Sequence, residues 1–219
     1  MGYTLEEIQG QHHRIFVGQE YGQSPEYREF WNRLRQGKFQ SATFQRFGKH
    51  GKEIWIQATY NPILDENGNT VRVIKFATDV TEQTLKNADY SGQIEAISRS
   101  QAVIAFNLDG TIQNANDNFL QVMGYTLDQI KGKHHRIFVE AGERNSPDYK
   151  AFWQALNAGK HFTGEYKRIG NNGREVWIQA SYNPILDLNG NPVRVVKYAT
   201  DITADKLRNA DYQGQLNAI

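Results

Sequence analysis

The segment Glu175–Asp187 reads EVWIQASYNPILD, and the segment Glu53–Asp65 repeats it almost unchanged as EIWIQATYNPILD. The similarity extends far beyond these two segments. Met1–Ile97 aligns with Met123–Ile219 without a gap, and more than half of the aligned residues are identical. A repeat of this length indicates a duplicated domain, since solenoid repeats are only about 20–50 residues long. The chain therefore carries two copies of one domain.

The composition of the chain is that of a folded protein with little net charge. Hydrophobic residues make up 39% of the 219 residues and aromatic residues 12%, which suffices for two domain cores. The net charge is +1 and opposite charges are interspersed, so we expect no nucleic acid partner. No apolar run approaches the ~18 residues of a membrane helix and no leader sequence is recognisable, which predicts a cytoplasmic protein without a membrane partner.

The chain contains no cysteine. Disulfide bonds, thiolate catalysis, thiolate metal sites and c-type haem attachment are therefore excluded. The sequence has no GxSxG, phosphate-binding glycine loop or HExxH motif, and its acids and histidines lack a spacing typical of general acid–base catalysis. We predict that the chain is not an enzyme.

The last part of the second copy predicts three consecutive strands. They are expected at His161–Gly170, Arg174–Leu186 and Pro192–Thr203, because Asn172-Gly173 and Asn189-Gly190 are typical turns between antiparallel strands. Alternate residues of the middle strand should face the core. This inward-facing set is Val176, Ile178, Ala180 and Tyr182.

Two shorter strands and several helices precede these three strands. The short strands are predicted at Ala102–Phe106 and Thr111–Asn114, on either side of the turn residues Asp109-Gly110. Helices are predicted within Asn116–Met123 and Ser146–Gly159, where an N-cap residue is followed by apolar residues at helical spacing. This order predicts an α+β domain in which short helices cover one face of an antiparallel sheet.

Five motifs of the second copy are informative about its family, and they lie at Asn114–Thr126, Gly132–Val139, Tyr149–Gly159, Val176–Ile185 and Val195–Thr203. They resemble PAS sensory domains, in particular the paired PAS domains of bacterial methyl-accepting chemotaxis transducers of the biofilm-dispersal and aerotaxis type. The resemblance implies two PAS domains at 1–81 and 100–203, each with a five-stranded antiparallel sheet when complete. A linker helix at 82–99 would join them, and an exit signalling helix would follow at 204–219.

The first copy lacks counterparts of residues 98–122, because Met1 corresponds to Met123. In the PAS fold these residues supply two strands and a helix, so the strand at Val71–Thr78 should have an exposed edge. We expect upstream chain, or strand exchange within a homodimer, to cover this edge. The resemblance also implies a longer parent receptor with a methyl-accepting signalling domain after Ile219.

PAS domains resembling this one hold haem, flavin, another small ligand or nothing, and these alternatives stay open. For b-type haem the candidate residues are His134, His135, His12 and His13. Of these, His135 and His13 are the candidate iron ligands, since neutral imidazole is a common axial ligand. The alternative is that these histidines face solvent or pack with one satisfied hydrogen bond.

For FAD, the resemblance to aerotaxis transducers runs through Asn116 and the segment around Phe162. Flavin-binding members have a tryptophan where this chain has Phe162 and Gln40, which weakens the expected stacking contact. Asn116 and Tyr182 are the polar residues that would orient a flavin ring, and Tyr60 is equivalent to Tyr182 in the first copy.

Four tryptophans occupy equivalent positions in the two copies. Trp153 and Trp31 lie on the apolar face of a predicted helix, where they either belong to the core or contact a ligand. Trp177 and Trp55 lie on the outward face of the middle strand, where they either cover the outer face of the sheet or contact another helix.

The end of each copy suggests how a signal leaves the domain. Asp79 and Thr81 precede the linker helix as Asp201 and Thr203 precede the exit helix, and Glu82 adds a capping-box pattern to the first pair. A ligand-dependent shift of the last strand would reach these caps directly. The apolar stripe of the exit helix is thin, so we expect only weak pairing of two chains.

Together these patterns predict a sensory module of a cytoplasmic chemotaxis-type receptor. It would sense oxygen, redox state or a small ligand through a PAS pocket and relay the signal through its exit helices. The alternative is a ligand-free PAS pair that acts as a protein–protein dimerisation and assembly module.

Overall fold

The computed structural model describes residues 1–217, and the chain forms two compact units. The first unit is Met1–Gly92 and the second begins at Gln93, so the boundary falls inside a long helix. Among the described residues, no helix is both long enough and apolar enough to cross a membrane. The domain limits proposed above stay a prediction.

The first unit consists of short helices, three strands and the start of the linker helix. Its elements are α1 (Leu5–Ile8), α2 (Gln19–Gln23), α3 (Pro25–Arg35), β1 (Gln40–Phe47), β2 (Glu53–Leu64), β3 (Thr70–Asp79) and the linker helix α4 (Thr81–Ser100), with a 3-10 turn at His13–Phe16.

The sheet of the first unit has one unpaired edge. Its strands are antiparallel in the order β1-β2-β3, so within residues 1–217 strand β3 pairs with β2 alone. The apolar side chains of Val71 and Phe76 on β3 are 64% and 68% exposed. The exposed strand edge predicted at Val71–Thr78 is therefore confirmed for the part of the chain that the structure describes.

The second unit contains a larger sheet and more helices. Its elements are β4 (Ala102–Phe106), β5 (Ile112–Ala115), α5 (Asp117–Met123), α6 (Leu127–Ile130), α7 (Pro147–Asn157), β6 (Phe162–Ile169), β7 (Glu175–Leu186), β8 (Pro192–Asp201) and α8 (Thr203–Asn217), with a 3-10 turn at His135–Phe138.

The five strands of the second unit form one antiparallel sheet in the order β5-β4-β8-β7-β6, which confirms the predicted α+β fold. Strand β8 ends at Asp201, earlier than predicted, because Thr203 is already the first residue of α8. The inward-facing set predicted on β7 is buried, with Val176, Ile178 and Ala180 at most 3% exposed and Tyr182 fully buried.

Local sequence signals explain where the helices begin and end. Ser146 caps α7 by accepting the backbone N–H of Tyr149 at 3.1 Å, and Pro147 occupies the first helical position. Gly124 ends α5 in the left-handed conformation, with φ of 72°. Leu156 of α7 is fully buried, which stabilises the contact between α7 and the core by about 2 kcal/mol.

Candidate functional site

Two basic side chains of the second unit point into its core. The turn at Asn171–Gly173 sets the register of β6 against β7, so that Arg168 lies opposite the core residue Val176. Further along β7, Tyr182 lies opposite Lys197 of β8. Residues directly opposite each other on antiparallel strands share one face of the sheet. Arg168 and Lys197 are accordingly 8% and 1% exposed.

Four side chains form a hydrogen-bonded chain in this core. The Tyr149 hydroxyl lies 2.9 Å from Nδ1 of His135, and the Tyr182 hydroxyl lies 3.1 Å from Nε2 of the same ring. Arg168 donates from Nη2 to the Tyr182 hydroxyl at 3.2 Å. His135 and Tyr182 are fully buried. We refer to Arg168–Tyr182–His135–Tyr149 as the buried network.

The tautomer of His135 decides the direction of the hydrogen bonds in the buried network. Burial, followed by the charges of Lys197 and Arg168, holds the pKa of His135 well below its usual value, so the ring is neutral with one donor and one acceptor. Tyr182 accepts from Arg168, and it uses both of its hydrogen-bonding roles in the tautomer in which it donates to Nε2 of His135. In that tautomer His135 donates from Nδ1 to Tyr149. The hydroxyl proton of Tyr149 is then left for a further acceptor.

Within the residues that the structure describes, Arg168 is a buried cation without an anionic partner. It donates from Nη1 to the carbonyl of Lys167 at 2.8 Å, and its guanidinium lies 4.7 Å from the centre of the Tyr166 ring. Its Nε has no acceptor within the described part of the chain. None of the ion pairs formed within residues 1–217 includes Arg168. No carboxylate of residues 1–217 therefore balances the positive charge of Arg168.

A cleft of about 350 Å³ opens beside the buried network. Tyr149 and Arg168, the two ends of the network, both line it, and Val139, Phe152 and Tyr166 supply apolar walls. Its volume lies within the range of small-molecule sites in proteins. A ligand in this cleft would meet both ends of the network.

The first unit repeats this arrangement with Arg46, Tyr60, His13 and Tyr27. His13 lies 3.0 Å from the Tyr27 hydroxyl through Nδ1 and 3.1 Å from the Tyr60 hydroxyl through Nε2. Arg46 donates to the Tyr60 hydroxyl at 3.2 Å and lines a cleft of about 580 Å³. Burial, followed by the charges of Arg46 and Lys75, lowers the pKa of His13 to about 4.

Strand β7 of the second unit also holds the start of the helix that follows the sheet. The Thr203 hydroxyl accepts the backbone N–H of Trp177 at 2.9 Å and donates to the Asp201 carboxylate at 2.6 Å. The Nζ atom of Lys206 on α8 lies 5.3 Å from the centre of the Trp177 ring, so this helix contacts the tryptophan on the outward face of the sheet. The start of α8 is thereby joined to both β7 and β8.

The first unit holds the start of α4 in the same way. The Thr81 hydroxyl accepts the backbone N–H of Trp55 at 2.8 Å and donates to Asp79 at 2.6 Å. Asp79 also accepts the N–H of Thr81 at 2.9 Å. The predicted capping role of Glu82 is corrected here, because its carboxylate pairs with Lys86 at 2.6 Å, one turn further along the helix.

Comparison with models of known families decides the identity of this fold. The PAS fold family matches residues 1–77 and 112–199. The chain belongs to the PAS family. One matched range lies in each unit, so the chain contains two PAS domains in tandem.

The tandem PAS chain is similar to several curated relatives. It is 40% identical to the biofilm dispersion protein BdlA of Pseudomonas aeruginosa over 215 residues, which cover 98% of this chain and 51% of BdlA. It is 31% identical to the aerotaxis receptor of Escherichia coli over 80 residues, or 36% of this chain and 16% of that receptor. It is 20% identical to the oxygen sensor protein DosP of Escherichia coli over 211 residues, or 94% of this chain and 26% of DosP. The chain spans about half the length of BdlA and less of the other two.

These comparisons leave both haem and flavin open as cofactors of the PAS domains and favour neither. The arrangement around His135 does not fit haem ligation, because both ring nitrogens are hydrogen-bonded to tyrosines. The ring also packs against Phe106 and Trp153, with ring centres 5.3 and 5.6 Å away. His13 is held by two tyrosines in the same way.

His134 and His12, the other candidate haem residues, cap the 3-10 turns of the two PAS domains. In each, Nδ1 accepts a backbone N–H at 3.1 Å, from Arg136 and Arg14 respectively. Gly110 makes room for the ring of His134. A Cβ at Gly110 would lie 2.6 Å from Nε2 of that ring, and the backbone φ of +83° also requires glycine.

Asn116, a candidate flavin contact, is not part of the buried network. Its side-chain oxygen accepts the backbone N–H groups of Val103 and Phe119 at 2.8 and 3.0 Å. Its amide nitrogen donates to the carbonyls of Ser98 and Gln101, both at 2.8 Å. The hydrogen-bonding groups of Asn116 therefore join the end of α4 to β4 and α5 rather than face a ligand.

The remaining aromatic candidates pack inside their domains. Trp153 is 8% exposed and belongs to the core of the second PAS domain. Trp31 packs with its ring centre 5.5 Å from that of His13. Phe162 packs on a phenylalanine of α7, with ring centres 4.9 Å apart. These contacts favour the core alternative for Trp153 and Trp31.

Three residues of the second-domain site were not identified from the sequence, namely Arg168, Lys197 and Tyr149. Strand register is the signal that identifies the first two, since each lies opposite a residue predicted to face inward. The sequence places Tyr149 only within the helix predicted at Ser146–Gly159. Its hydroxyl contact joins residues that lie far apart in the sequence, so spacing alone does not reveal it.

Proposed function

We propose that the chain is a non-enzymatic sensory module in which occupancy of a PAS pocket is relayed to the helix that follows the sheet. One observation carries this proposal: β7 and β8 each contribute to both the buried site and the helix anchor. On β7 these residues are Tyr182 and Trp177, and on β8 they are Lys197 and Asp201. A change at the site therefore has a short covalent path to the start of α8.

The path along β7 runs through its backbone. A strand rises about 3.4 Å per residue, so Tyr182 and Trp177 are separated by about 17 Å. Tyr182 faces the core whereas Trp177 faces outward, so no single packed layer of side chains joins them. A ligand that changes the position of the Tyr182 hydroxyl would act on Thr203 by shifting the strand and its hydrogen bonds.

We further propose that the chain is part of a cytoplasmic chemotaxis-type receptor whose methyl-accepting signalling domain lies elsewhere in the parent protein. Similarity to BdlA and to the aerotaxis receptor supports this assignment. The signal is oxygen, redox state or a small ligand, in keeping with the names of these relatives and of DosP. Of these, a small ligand is the signal that the cleft beside the buried network supports best.

Hydrogen exchange of the full chain, followed by mass spectrometry, tests the relay. Tyr182→Phe removes the hydroxyl that joins Arg168 to His135, and Tyr198→Phe removes a hydroxyl from the same sheet outside the network. We expect Tyr182→Phe to change exchange at the Trp177 amide and in the first turn of α8, and Tyr198→Phe to leave both unchanged. A change confined to the neighbours of Tyr182 would contradict the relay.

A second candidate function is assembly, and the open edge of β3 favours it. Unpaired strand edges readily pair with another chain, and Val71 and Phe76 add exposed apolar surface on this strand. In this alternative two chains form a homodimer through β3, with or without strand exchange, and the PAS domains need no ligand.

Sedimentation velocity of the full chain distinguishes the two functions. We expect Phe76→Lys to convert a dimer formed through β3 into a monomer, because it places a charge on the pairing strand. Tyr198→Lys is the matched control, since Tyr198 occupies the equivalent position on β8, which already pairs on both sides. A wild-type chain that stays monomeric at high concentration would exclude assembly through this edge.

A further inference from the structure

We infer that the cleft in the second PAS domain binds a small organic monocarboxylate, held by Arg168 and Tyr149. This inference rests on the proposed sensory function and names the chemical class of its ligand. It is drawn from three observations: an unbalanced buried charge, donors at both ends of the buried network, and the lining of the cleft.

The first observation is the charge of Arg168. Its side chain is 8% exposed, yet no carboxylate of residues 1–217 pairs with it. Buried charges in proteins are normally paired, because an unpaired one retains a large desolvation cost. Arg46 repeats the pattern in the first domain, where it is 2% exposed. A charge left unbalanced at the same place in two domains points to an anion that arrives from outside.

The second observation is the direction of the hydrogen bonds. The Nε–H of Arg168 has no acceptor within the described chain, and the His135 tautomer that donates from Nδ1 leaves the hydroxyl proton of Tyr149 without an acceptor in the network. Both residues line the same cleft. In that tautomer the site offers the guanidinium of Arg168 and the hydroxyl of Tyr149 as donors, and the network has no unused acceptor. A carboxylate, which only accepts hydrogen bonds, matches this pattern.

The third observation is the lining of the cleft. Val139, Phe152 and Tyr166 form apolar walls, so the body of the ligand is apolar or aromatic. Glu143 and Asp148 line the cleft as well. The negative charges of these two residues disfavour ligands with more than one negative charge, such as dicarboxylates and phosphates. A volume of about 350 Å³ suits a ligand of the size of benzoate or indole-3-acetate.

Isothermal titration calorimetry tests this site with benzoate, indole-3-acetate and hexanoate as probes and benzamide as the neutral analogue of benzoate. The full chain carries Arg46→Met, so that only the second domain keeps its buried arginine. We expect at least one carboxylate to bind and benzamide to bind at least tenfold more weakly, because a charge-assisted hydrogen bond is lost.

Variants of the second domain then locate the binding. Adding Arg168→Met should weaken carboxylate binding by about 10- to 100-fold, and Tyr149→Phe should weaken it several-fold. Arg194→Gln is the matched control, because Arg194 is an exposed arginine on β8, and it should leave affinity unchanged. Near-ultraviolet circular dichroism checks that each variant is folded. If Arg168→Met does not fold, Arg168→Lys replaces it and should lower affinity and selectivity over benzamide.

Two results would overturn the inference. One is that none of the three carboxylates binds the folded chain at about 10 mM, well above a millimolar dissociation constant. The other is binding that Arg168→Met and Tyr149→Phe leave intact. The relay is tested separately, by hydrogen exchange at α8 with saturating carboxylate. Binding without a change at α8 would contradict the sensory function and leave the carboxylate site standing.

Discussion

Replacing Arg168 with methionine should make the second PAS domain more stable. The substitution removes a guanidinium that is 8% exposed and has no carboxylate partner in the described chain. It keeps an unbranched apolar side chain of similar length in the core. The hydroxyl of Tyr182 loses one donor but still donates to His135.

The magnitude follows from the contacts of Arg168. Burying an unpaired charge costs several kcal/mol. Two hydrogen bonds from the guanidinium, to Tyr182 and to the Lys167 carbonyl, offset about 1.5–3 kcal/mol each, and the contact with Tyr166 offsets about 1 kcal/mol. For arginine the cost of burying the charge and these favourable contacts nearly cancel. Burial of the methionine side chain, by contrast, stabilises the folded domain by about 1.5 kcal/mol. We therefore expect the free energy of unfolding of the second domain to rise by about 1 kcal/mol.

Native-state hydrogen exchange measures this change separately in each domain. An increase of about 1 kcal/mol slows the slowest-exchanging amides of β7 about fivefold. The amides of β2 serve as an internal reference, and Arg46→Met reverses the roles of the two domains. Exchange in β7 that becomes faster by tenfold or more would refute the reasoning. Arg168 would then be a structural residue, and the charge argument for a carboxylate ligand would lose its basis.

Three further outcomes are expected. The free energy of unfolding of the first domain should fall by at most about 3 kcal/mol as the pH drops from 6.5 to 4. The reason is that the pKa of His13 is lowered to about 4 in the folded domain, so the unfolded chain takes up a proton that the folded chain does not. Amide exchange in β2 that does not change over this pH range would contradict this. Asn116→Ala should destabilise the second domain by about 1–2 kcal/mol, since the cap of α5 and the hydrogen bonds to the end of α4 are lost. Exchange of the β4 amides at the wild-type rate would contradict this prediction. His135→Ala should not change the visible absorbance of the chain when it is purified from cells supplied with haem precursor and riboflavin, because both ring nitrogens are already hydrogen-bonded. Loss of a Soret band in this variant would instead show that His135 is an iron ligand.

The fold was predictable because turns and alternation are local signals. Asn172-Gly173 and Asn189-Gly190 marked the strand ends, and the alternation along Glu175–Leu186 identified the inward-facing residues of β7. The start of α7 was predictable from Ser146 and Pro147. Each of these features depends on residues that are neighbours in the sequence.

The site was harder to predict because its defining contacts are not local. His135 was a candidate, but its partners Tyr149 and Tyr182 lie 14 and 47 residues away in the sequence. Arg168 and Lys197 are basic residues, and a pattern of hydrophobic alternation assigns basic residues to the outward face. Only the strand register contradicts that assignment, and it needs the pairing of β6, β7 and β8 together.

The linker helix α4 is a single α-helix from Thr81 to Ser100, yet Gly92 lies in its interior, at the boundary of the two PAS units. Glycine destabilises a helix interior by about 1 kcal/mol relative to alanine, and a Cβ at Gly92 would meet no atom within 4 Å. Alanine would therefore fit at this position without steric conflict. Gly92→Ala is therefore expected to stabilise the linker helix by about 1 kcal/mol, so glycine keeps this helix less stable at the boundary of the two units than its length alone requires.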